Sequence, residues 1–394
     1  MADTATDRIT FIQDNRALAS VVAQLESAPC IALDTEFLRD HTYFPMLCLL
    51  QLATDNQQLI IDPLADIDLK PLEKVLRSPE IVKIVHAGSQ DLEILYQVFN
   101  FPTSPVFDTQ IAAQLLGLPQ QIGLMALVKH YTGINLPKSD SYSEWARRPL
   151  SPTQLQYAID DVYYLPGIYR RMHAELEASG RLHWLDAEMS ALSDLKRFQQ
   201  DPDKLWQRLK GTSNLSRRQL AVLRELAIWR DSCAAERDLP RKWLMSDEQL
   251  VDISRRMPAD VEGLNQTRGL RDKLPQKWRD GLLAAVRAGK ELPESELPKR
   301  DRKRITALAD YSSVLSLMQA LVHLRARENH ISTNMLASQE ELLDLARGRH
   351  EDISLLQGWR RELIGLELLK LLDGSLYLSL DQGVLRVTDS AQLS

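Results

Sequence analysis

Short runs of apolar residues separated by polar turns characterise the first hundred residues of the chain. The runs Ile31–Phe37, Met46–Ala53, Gln58–Ile61 and Ile81–Val85 have the length and composition of buried strands. A further strand followed by a helix is predicted over residues 11–27. Because short turns join the runs Ile31–Phe37, Met46–Ala53 and Gln58–Ile61, these three strands are predicted to form an antiparallel meander.

Helical periodicity replaces the strand pattern after residue 90. Apolar residues then recur every three or four positions, which is typical of amphipathic helices. A helix that starts near Gln90 is followed by helices predicted over residues 108–116, 122–132, 152–177 and 181–197. Strands that come first and helices that follow predict an α/β domain, in which helices cover a mixed sheet.

From residue 201 onward nearly every segment has helical period, and this half of the chain contains a repeat. Residues 236–250 align with residues 328–342 at an offset of 92, which pairs Ser246 with Ser338. Each serine precedes an acidic residue by two positions, as at the start of a capped helix. The tail of the second copy, Leu376–Val387, has a more strand-like pattern. We expect an α/β domain and two all-α bundles, at residues 1–200, 201–292 and 299–394.

Charge is distributed unevenly along this chain, whose 44% hydrophobic and 26% charged residues are typical of globular proteins. The net charge is −6. Residues 1–200 have 16 Lys and Arg against 25 Asp and Glu, residues 201–304 have 24 against 17, and residues 305–394 have 8 against 12. An acidic first half and a basic middle segment suit a metal site and a surface that binds a polyanion.

The sequence also indicates a compartment. The N-terminal residues lack the basic and then apolar order of a signal peptide, and no run of about 18 apolar residues predicts a membrane span. Cys30, Cys48 and Cys233 are too few and too widely spaced for a disulfide framework or a zinc site. We therefore expect a cytoplasmic protein without a membrane partner.

Candidate chemistry begins with two carboxylates at the end of the first buried strand. Because side chains alternate along a strand, Asp34 and Glu36 point the same way at about 7 Å from each other, with Thr35 opposite. Like charges at this spacing favour a bound cation, although a strand end that runs into solvent is the plain alternative. Asp91 lies in the first turn of the helix after residues 81–85.

A tyrosine and a further carboxylate occur together on a later helix. Tyr157 and Asp161 are four positions apart within the helix predicted over residues 152–177, so both lie on one face. A surface tyrosine beside a solvated acid is the alternative for this pair alone. Three acidic segments in this order nevertheless carry more information than any one of them.

The three segments together resemble the DEDD 3′–5′ exonucleases, in the branch that has tyrosine in its third motif. Within that group the chain looks like the bacterial ribonuclease D family over nearly its whole length, with supporting matches at residues 107–111 and 143–150. The helical repeats resemble HRDC domains, the module shared by helicases and ribonuclease D. The resemblance implies a ribonuclease H-like catalytic domain that is active, followed by two HRDC-like domains.

Roles for the motif residues follow from the resemblance. Phosphodiester hydrolysis needs an activated nucleophile and stabilisation of charge on the reacting oxygens, which two divalent ions can supply. Magnesium and manganese ions prefer oxygen ligands. The resemblance implies that Asp34 bridges the ions, that Glu36 and Asp161 complete the first site and that Asp91 holds the second ion. Tyr157 is expected to orient the attacking water, because a pKa near 10 makes a phenol a poor base.

Other polar residues near the motifs are expected to have roles outside metal binding. Asp40, Asp62, Asp108 and Asp160 are not expected to bind the ions, and Asp108 is better suited to capping the helix that follows it. The candidates for substrate binding are His86, Lys138, Trp145, Arg147 and Arg148. His86 could instead be structural, and the segment around Trp145 could be a solvated loop that this residue anchors.

Basic and aromatic residues also occur together in the middle segment. The basic residues singled out are Arg217, Arg218, Arg241, Lys242, Lys273 and Lys277. Trp243 and Trp278 lie among them, a combination that suits single-stranded RNA, whereas Trp206 and Trp229 are expected in the core. The positive charge predicts weak, salt-sensitive RNA binding. The acidic last segment is expected to pack against the catalytic domain.

The leading hypothesis is a metal-dependent 3′–5′ exoribonuclease that releases nucleoside 5′-monophosphates. It would mature the 3′ ends of tRNA precursors and other structured RNAs, as a monomer without an obligate protein partner. Four carboxylates do not distinguish ribose from deoxyribose, so an exonuclease that acts on DNA ends is the alternative. A non-catalytic RNA-binding protein on the same scaffold is a third hypothesis.

Overall fold

The computed structural model describes residues 9–137, 144–199, 201–267, 269–270, 274–298, 311–351 and 353–390. The chain folds into two compact units. One comprises Met1–Thr35, Leu49–Ser193 and Lys303–Ser394, and the other comprises Glu36–Cys48 and Asp194–Arg302. The first unit therefore joins most of the α/β region to the last segment of the chain, and the second contains the middle helical segment.

A six-stranded mixed sheet forms the centre of the α/β domain. Its strands are β1 (Ile9–Ile12), β2 (Cys30–Leu38), β3 (Met46–Ala53), β4 (Gln58–Ile61), β5 (Val82–Val85) and β6 (Val106–Asp108). They are ordered β1-β4-β3-β2-β5-β6. Strand β3 is antiparallel to β4, whereas β1 is parallel to β4, and β5 is parallel to both β2 and β6. The mixed sheet and the adjacency of β2, β3 and β4 agree with the predicted pattern.

Helices cover this sheet. They are α1 (Asn15–Leu25), α2 (Glu73–Arg77), α3 (Ser89–Phe99), α4 (Thr109–Leu115), α5 (Leu124–Thr132), α6 (Pro152–Tyr163), α7 (Leu165–Ala178) and α8 (Leu182–Leu192). The short helix α9 (Leu195–Phe198) follows them and belongs to the second unit. The prediction of a single helix over residues 152–177 was wrong, because the structure has two helices there, α6 and α7. Pro166 lies in the first turn of α7 and has no N–H to donate, so the backbone hydrogen-bonding pattern is interrupted at Tyr164. The helix predicted over 181–197 likewise divides, with Asp194 capping α9.

The middle segment is a helical bundle in the second unit. Its helices are α10 (Arg217–Glu236), α11 (Arg241–Leu244), α12 (Asp247–Arg256), α13 (Val261–Asn265) and α14 (Gln276–Glu291). Leucines of α10, α12 and α14 form its core, and Trp206 and Trp229 pack against that core, as expected. Helices α10 and α14 approach closely, because a Cβ at Gly289 would lie 2.5 Å from the Cα of Val222.

The last segment repeats the order of elements in the middle one. Its elements are α15 (Ser312–Glu328), α16 (Thr333–Leu336), α17 (Gln339–Ala346), α18 (Gly358–Arg360), a π-helical turn (Arg361–Gly365), α19 (Leu366–Asp373), β7 (Leu376–Asp381) and β8 (Val384–Asp389). Ser246 and Ser338, 92 residues apart, each form a capping box at the start of α12 and α17. Asp238 and His330 are also 92 residues apart, and both have a φ of 50°.

The end of the last segment differs from the middle one. Strands β7 and β8 form an antiparallel hairpin, which agrees with the strand-like pattern of the tail. The expectation that this last domain is all-α was therefore wrong at its end, because alternating apolar and polar residues there favour a strand over a helix. Gln382 and Gly383 make its turn, with φ values of 49° and 80°. Two consecutive positive φ values match the right-handed twist of a tight hairpin.

Within the first unit, the last segment packs against the α/β domain, as its acidic charge led us to expect. The Arg181 guanidinium donates hydrogen bonds to the carbonyl groups of Leu115 and Asn329. Trp184 and Trp359 stack with ring centroids 4.8 Å apart and planes inclined by 16°. Hydrogen bonds and an aromatic stack therefore join these two parts of the chain.

Candidate active site

Three carboxylates from two of the predicted motifs converge at the sheet. Asp34 and Glu36 lie two positions apart on β2, and Asp161 lies on α6. Each offers one oxygen atom, and these oxygens all lie within 4.8 Å of one another. Among the described residues, these three form the one group of Asp, Glu, His or Cys side chains that is spaced closely enough to hold a metal ion. The alternation of side chains along the strand and the position of the helix together produce it.

Asp91 lies next to this cluster but outside it. The residue is in the first turn of α3 and only 8% exposed. Its Oδ1 accepts hydrogen bonds from the backbone N–H of Thr35, at 3.2 Å, and from the Thr35 hydroxyl. Burial raises the pKa of Asp91, and the Thr35 hydrogen bonds act in the opposite direction. Thr35 therefore ties the second motif to the first from the strand position between the two carboxylates.

The turn before α3 is built to place Asp91. Ala87 has a φ of 55°, in the left-handed region, and a Cβ at Gly88 would lie 2.5 Å from the Cβ of Val85. The Asp108 carboxylate accepts hydrogen bonds from the N–H groups of Ala87 and Gly88, at 3.1 and 3.0 Å. A buried carboxylate thus satisfies two backbone donors of a turn that only a small residue can make.

The third motif combines a carboxylate of perturbed pKa with a phenol. Burial, with the charges of Asp160 and Asp91, raises the pKa of Asp161 to about 7, and a hydrogen bond with Tyr157 opposes the shift. The Tyr157 ring lies beside Trp145, with centroids 5.9 Å apart. Burial and neighbouring negative charges both disfavour the ionised form of Asp161. A cation bound at this cluster would favour the ionised carboxylates, and they in turn would hold the cation.

Three of the four neighbouring acids have contacts with other residues. Asp108 caps α4 by accepting from the N–H groups of Gln110 and Ile111, as predicted. Asp160 accepts a hydrogen bond from Gln156 at 2.9 Å. Asp62 is buried and pairs with an arginine, and Asp40 is exposed. Each of these contacts is consistent with a separate role for the residue.

Arg148 and Trp145 anchor the segment that precedes α6. The Arg148 guanidinium donates to both oxygens of Asp62, at 2.7 and 2.6 Å, and to the backbone oxygen of Trp145 at 2.6 Å. Trp145 is only 3% exposed, so its ring does not face solvent. These contacts favour the alternative of a loop anchored by Trp145 over phosphate binding by Arg148 and base stacking by Trp145.

The other substrate-binding candidates are in different situations. Arg147 is exposed, and this is compatible with its predicted contact to phosphate. His86 is half-buried, and its Nδ1 lies 2.9 Å from the hydroxyl of Thr109, which itself donates to the Val85 carbonyl. Burial lowers the pKa of His86, although the charge of Asp108 opposes the shift. Lys138 lies outside the described residues.

Two pairs at the site were not found from the sequence. Thr35 with Asp91 and Asp62 with Arg148 are 56 and 86 residues apart in the chain. For Thr35 and Asp91, the sequence contained one indication, namely that strand alternation places the Thr35 side chain on the face opposite Asp34 and Glu36. The second pair had none, because neither a lone buried aspartate nor an arginine in a charged segment indicates its partner.

Comparisons with known proteins agree with this geometry. A family model described as 3′–5′ exonuclease matches residues 9–177, and one described as HRDC domain matches residues 219–286. Ribonuclease D of Sphingobium indicum is 38% identical over 385 residues, which cover 96% of this chain and 98% of the relative. Ribonuclease D of Gluconacetobacter diazotrophicus is 40% identical over 376 residues, which cover 95% of this chain and 94% of the relative.

A solved structure extends the similarity to the fold. The crystal structure of Escherichia coli RNase D, an exoribonuclease involved in structured RNA processing, matches with a TM-score of 0.80 and 35% identity. The match covers 93% of this chain and 99% of that one. The mixed sheet, the carboxylate cluster and these matches define a 3′–5′ exonuclease, an enzyme class whose members use divalent metal ions. The chain belongs to the ribonuclease D family, and it is an exoribonuclease with an HRDC domain in its middle segment.

No described helix of the protein has both the length and the apolar character needed to cross a membrane.

Proposed function

We propose that this enzyme removes nucleoside 5′-monophosphates one at a time from the 3′ ends of structured RNAs, such as tRNA precursors. It would act as a cytoplasmic monomer with two divalent ions, Mg²⁺ or Mn²⁺. The observation that carries the proposal is the convergence of three carboxylate oxygens within 4.8 Å. Carboxylate oxygens are the ligands that these hard cations prefer, so the donor set fits them.

Four residues would hold the ions in this proposal. They are Asp34, Glu36, Asp91 and Asp161. When bound, the ions would stabilise negative charge on the attacking and departing oxygens of the phosphodiester. Asp91 lies outside the three-oxygen cluster, but its charge is close enough to raise the pKa of Asp161. This proximity supports a second position beside the first.

The chain's own groups would orient the reactants. Tyr157 is hydrogen-bonded to Asp161 and rests against the buried ring of Trp145, so its hydroxyl is held at the cluster. A hydroxyl fixed there can orient the attacking water, whereas its high ordinary pKa makes it a poor base. Arg147, exposed in the segment before α6, is the proposed phosphate contact.

The last segment is proposed to be a divergent second HRDC-like domain. The shared capping boxes at Ser246 and Ser338 and the shared backbone conformation at Asp238 and His330 support this relationship. Its contacts with the α/β domain within the first unit suggest a role in stabilising the catalytic domain. The middle segment, which contains the HRDC domain and has a net charge of +7 over residues 201–304, is the better candidate for contacting RNA.

One experiment tests the reaction and its direction. RNA labelled at the 5′ end or at the 3′ end is incubated with the protein in Mg²⁺, Mn²⁺ or EDTA, beside a DNA strand of the same sequence. We expect mononucleotides from the 3′-labelled RNA, a ladder from the 5′-labelled RNA and neither in EDTA. The variant Asp34→Asn is the control for a contaminating nuclease. Products of internal cleavage, or full activity in EDTA, would overturn the proposal.

A further inference from the structure

Trp243 differs from the other tryptophans of the protein in its exposure. All seven tryptophans lie in the described part of the chain, and Trp243 is the one whose side chain is exposed, to 59%. It lies on α11 of the HRDC domain. A large aromatic ring in solvent contributes little to folding, and its face is available for stacking with a ligand.

A second ring accompanies it. The His41 ring lies 5.5 Å from the Trp243 ring, with the two planes inclined by 54°. His41 belongs to the turn between β2 and β3, and residues 36–48 lie in the same compact unit as the HRDC domain. The exposed surface therefore combines a loop of the exonuclease domain with a helix of the HRDC domain. We call His41 and Trp243 the aromatic pair.

The turn that carries His41 is fixed by polar contacts. The Tyr43 hydroxyl lies 3.0 Å from both carboxylate oxygens of Asp231, and Arg241 donates to the same hydroxyl at 2.9 Å. The backbone N–H of Phe44 donates to Asp238 at 2.9 Å. Because these bonds hold the turn against α10 and α11, the aromatic pair is preorganised and a ligand need not order it.

The aromatic pair has basic and acidic side chains near it, within a segment whose basic residues are in excess. Asp231 is neutralised by its ion pair with Arg241, and Asp238 is engaged with the turn. Lys242, next to Trp243, is exposed, and residues 201–304 have a net charge of +7. Asp40 is the exposed acid of the turn. Exposed aromatic rings beside basic side chains are the combination that binds single-stranded nucleic acid, through stacking on bases and contacts with phosphates.

The covalent structure limits the distance from the aromatic pair to the catalytic carboxylates. His41 follows Glu36 by five residues, so their Cα atoms are at most about 18 Å apart even if the chain is fully extended. A strand of RNA whose 3′ end lies at Glu36 therefore has only a few nucleotides between that end and His41. The chain length alone therefore keeps His41 within a few nucleotides of an RNA 3′ end that lies at Glu36.

We propose that His41 and Trp243 form a stacking platform for a base of the single-stranded 3′ segment of the substrate, upstream of the nucleotide that is removed. Lys242 contacts the phosphate beside that base. The inference rests on the proposed function and deepens it, since it assigns part of substrate affinity to a composite surface of two domains. It also implies a minimum length of single strand for efficient degradation.

The test compares Trp243 variants on long and short substrates. Trp243→Ala should raise KM for a single-stranded RNA of about twelve nucleotides roughly tenfold, within the range for loss of one base–aromatic stack. It should leave kcat unchanged, and its effect on KM should shrink as the substrate is shortened towards a dinucleotide, because a shorter strand has fewer bases upstream of the cleaved bond to place on the platform. Tyr377→Ala is the matched control, because Tyr377 is 50% exposed but lies on β7 of the acidic last segment.

Two further variants separate stacking from simple apolar contact and from misfolding. Trp243→Phe should retain most of the affinity, whereas Trp243→Leu, which keeps an apolar side chain without a ring, should behave like Trp243→Ala. If Trp243→Ala lowers Tm, the comparison of the Phe and Leu variants carries the test. Equal KM values for all Trp243 variants and the wild type, or a Leu variant as good as Phe, would refute the platform. Absence of RNA degradation by the wild type would instead refute the proposed function.

Discussion

Replacing Arg148 by methionine separates two roles for this residue, because its contacts are those of a buried ion pair. The Asp62 side chain is 2% exposed and the Arg148 side chain 24% exposed. Removing one partner of a buried pair costs about 3–5 kcal/mol, since the other charge is left uncompensated. In the variant, Gln13 and the N–H of Leu64 still donate to Asp62, and Arg148 is partly solvated in the wild type. We therefore expect the free energy of unfolding to fall by about 3 kcal/mol, the lower end of this range. This corresponds to a Tm lower by roughly 6–12 °C for a domain of this size.

The pH dependence of that loss identifies its cause. Burial alone would raise the pKa of Asp62, but hydrogen bonds from Arg148 and Gln13 lower it below its ordinary value. In the wild type this pair therefore stabilises the fold above the ordinary pKa, and the contribution is lost as the pH falls through the lowered value. In Arg148→Met the folded-state pKa of Asp62 should rise above about 4. The deficit relative to the wild type should then shrink between pH 7 and pH 4.

Urea unfolding at several pH values, with steady-state RNA hydrolysis, measures both effects. We expect kcat to fall more than KM rises, because Trp145 loses its anchor and with it the support of Tyr157. The double variant Asp62→Asn with Arg148→Met is the control, since it removes the uncompensated charge and should recover part of the stability. A variant of unchanged stability with a strongly raised KM would refute this reasoning and assign Arg148 to the RNA.

Three further substitutions test other parts of the structure. Asp34→Asn should reduce turnover by orders of magnitude yet leave Tm in EDTA unchanged or higher, because it relieves repulsion in the carboxylate cluster; a clear decrease of Tm in EDTA would contradict this. Tyr157→Phe should slow hydrolysis while Mn²⁺ affinity, measured by calorimetry, is retained; parallel loss of both would remove the orienting role of the phenol. Burial lowers the pKa of Lys83 to about 8 from an ordinary value near 10.5. Between about pH 8 and pH 10.5 the unfolded chain therefore binds more protons than the folded one, and the free energy of unfolding rises with pH in that range. Urea unfolding should show a slope of up to about 1.4 kcal/mol per pH unit that Lys83→Met lacks, and equal slopes for both proteins would exclude a buried, titrating lysine.

Features set by local spacing could be predicted from the sequence, and those set by distant partners could not. The two-residue spacing of Asp34 and Glu36 and the four-residue spacing of Tyr157 and Asp161 follow from the geometry of a strand and a helix. The capping of α4 by Asp108 is equally local. The ion pair of Asp62 and Arg148 depends on which segments the fold brings together, and neighbouring residues carry no signal of it.

The sequence also left the extent of the helices uncertain. Apolar periodicity continues through residues 152–177, but Pro166 interrupts the backbone hydrogen bonding and creates two helices, α6 and α7. The assignment of the last segment to the same compact unit as the α/β domain likewise rests on tertiary contacts, such as those of Arg181 and Trp184. Hydrophobic pattern defines an element's buried face and does not identify the surface that covers it.

The capping boxes at Ser246 and Ser338 have a consequence for how such a protein can diverge. A helix whose start is encoded within four residues does not depend on its neighbours for that start, so a duplicated copy inherits it intact. If the last segment is a second HRDC-like copy, as proposed, the exteriors of the two copies have diverged into a basic middle segment and an acidic last segment. Two such copies could take different roles through changes at their surfaces and at their ends, while the internal signals that start their helices stay the same.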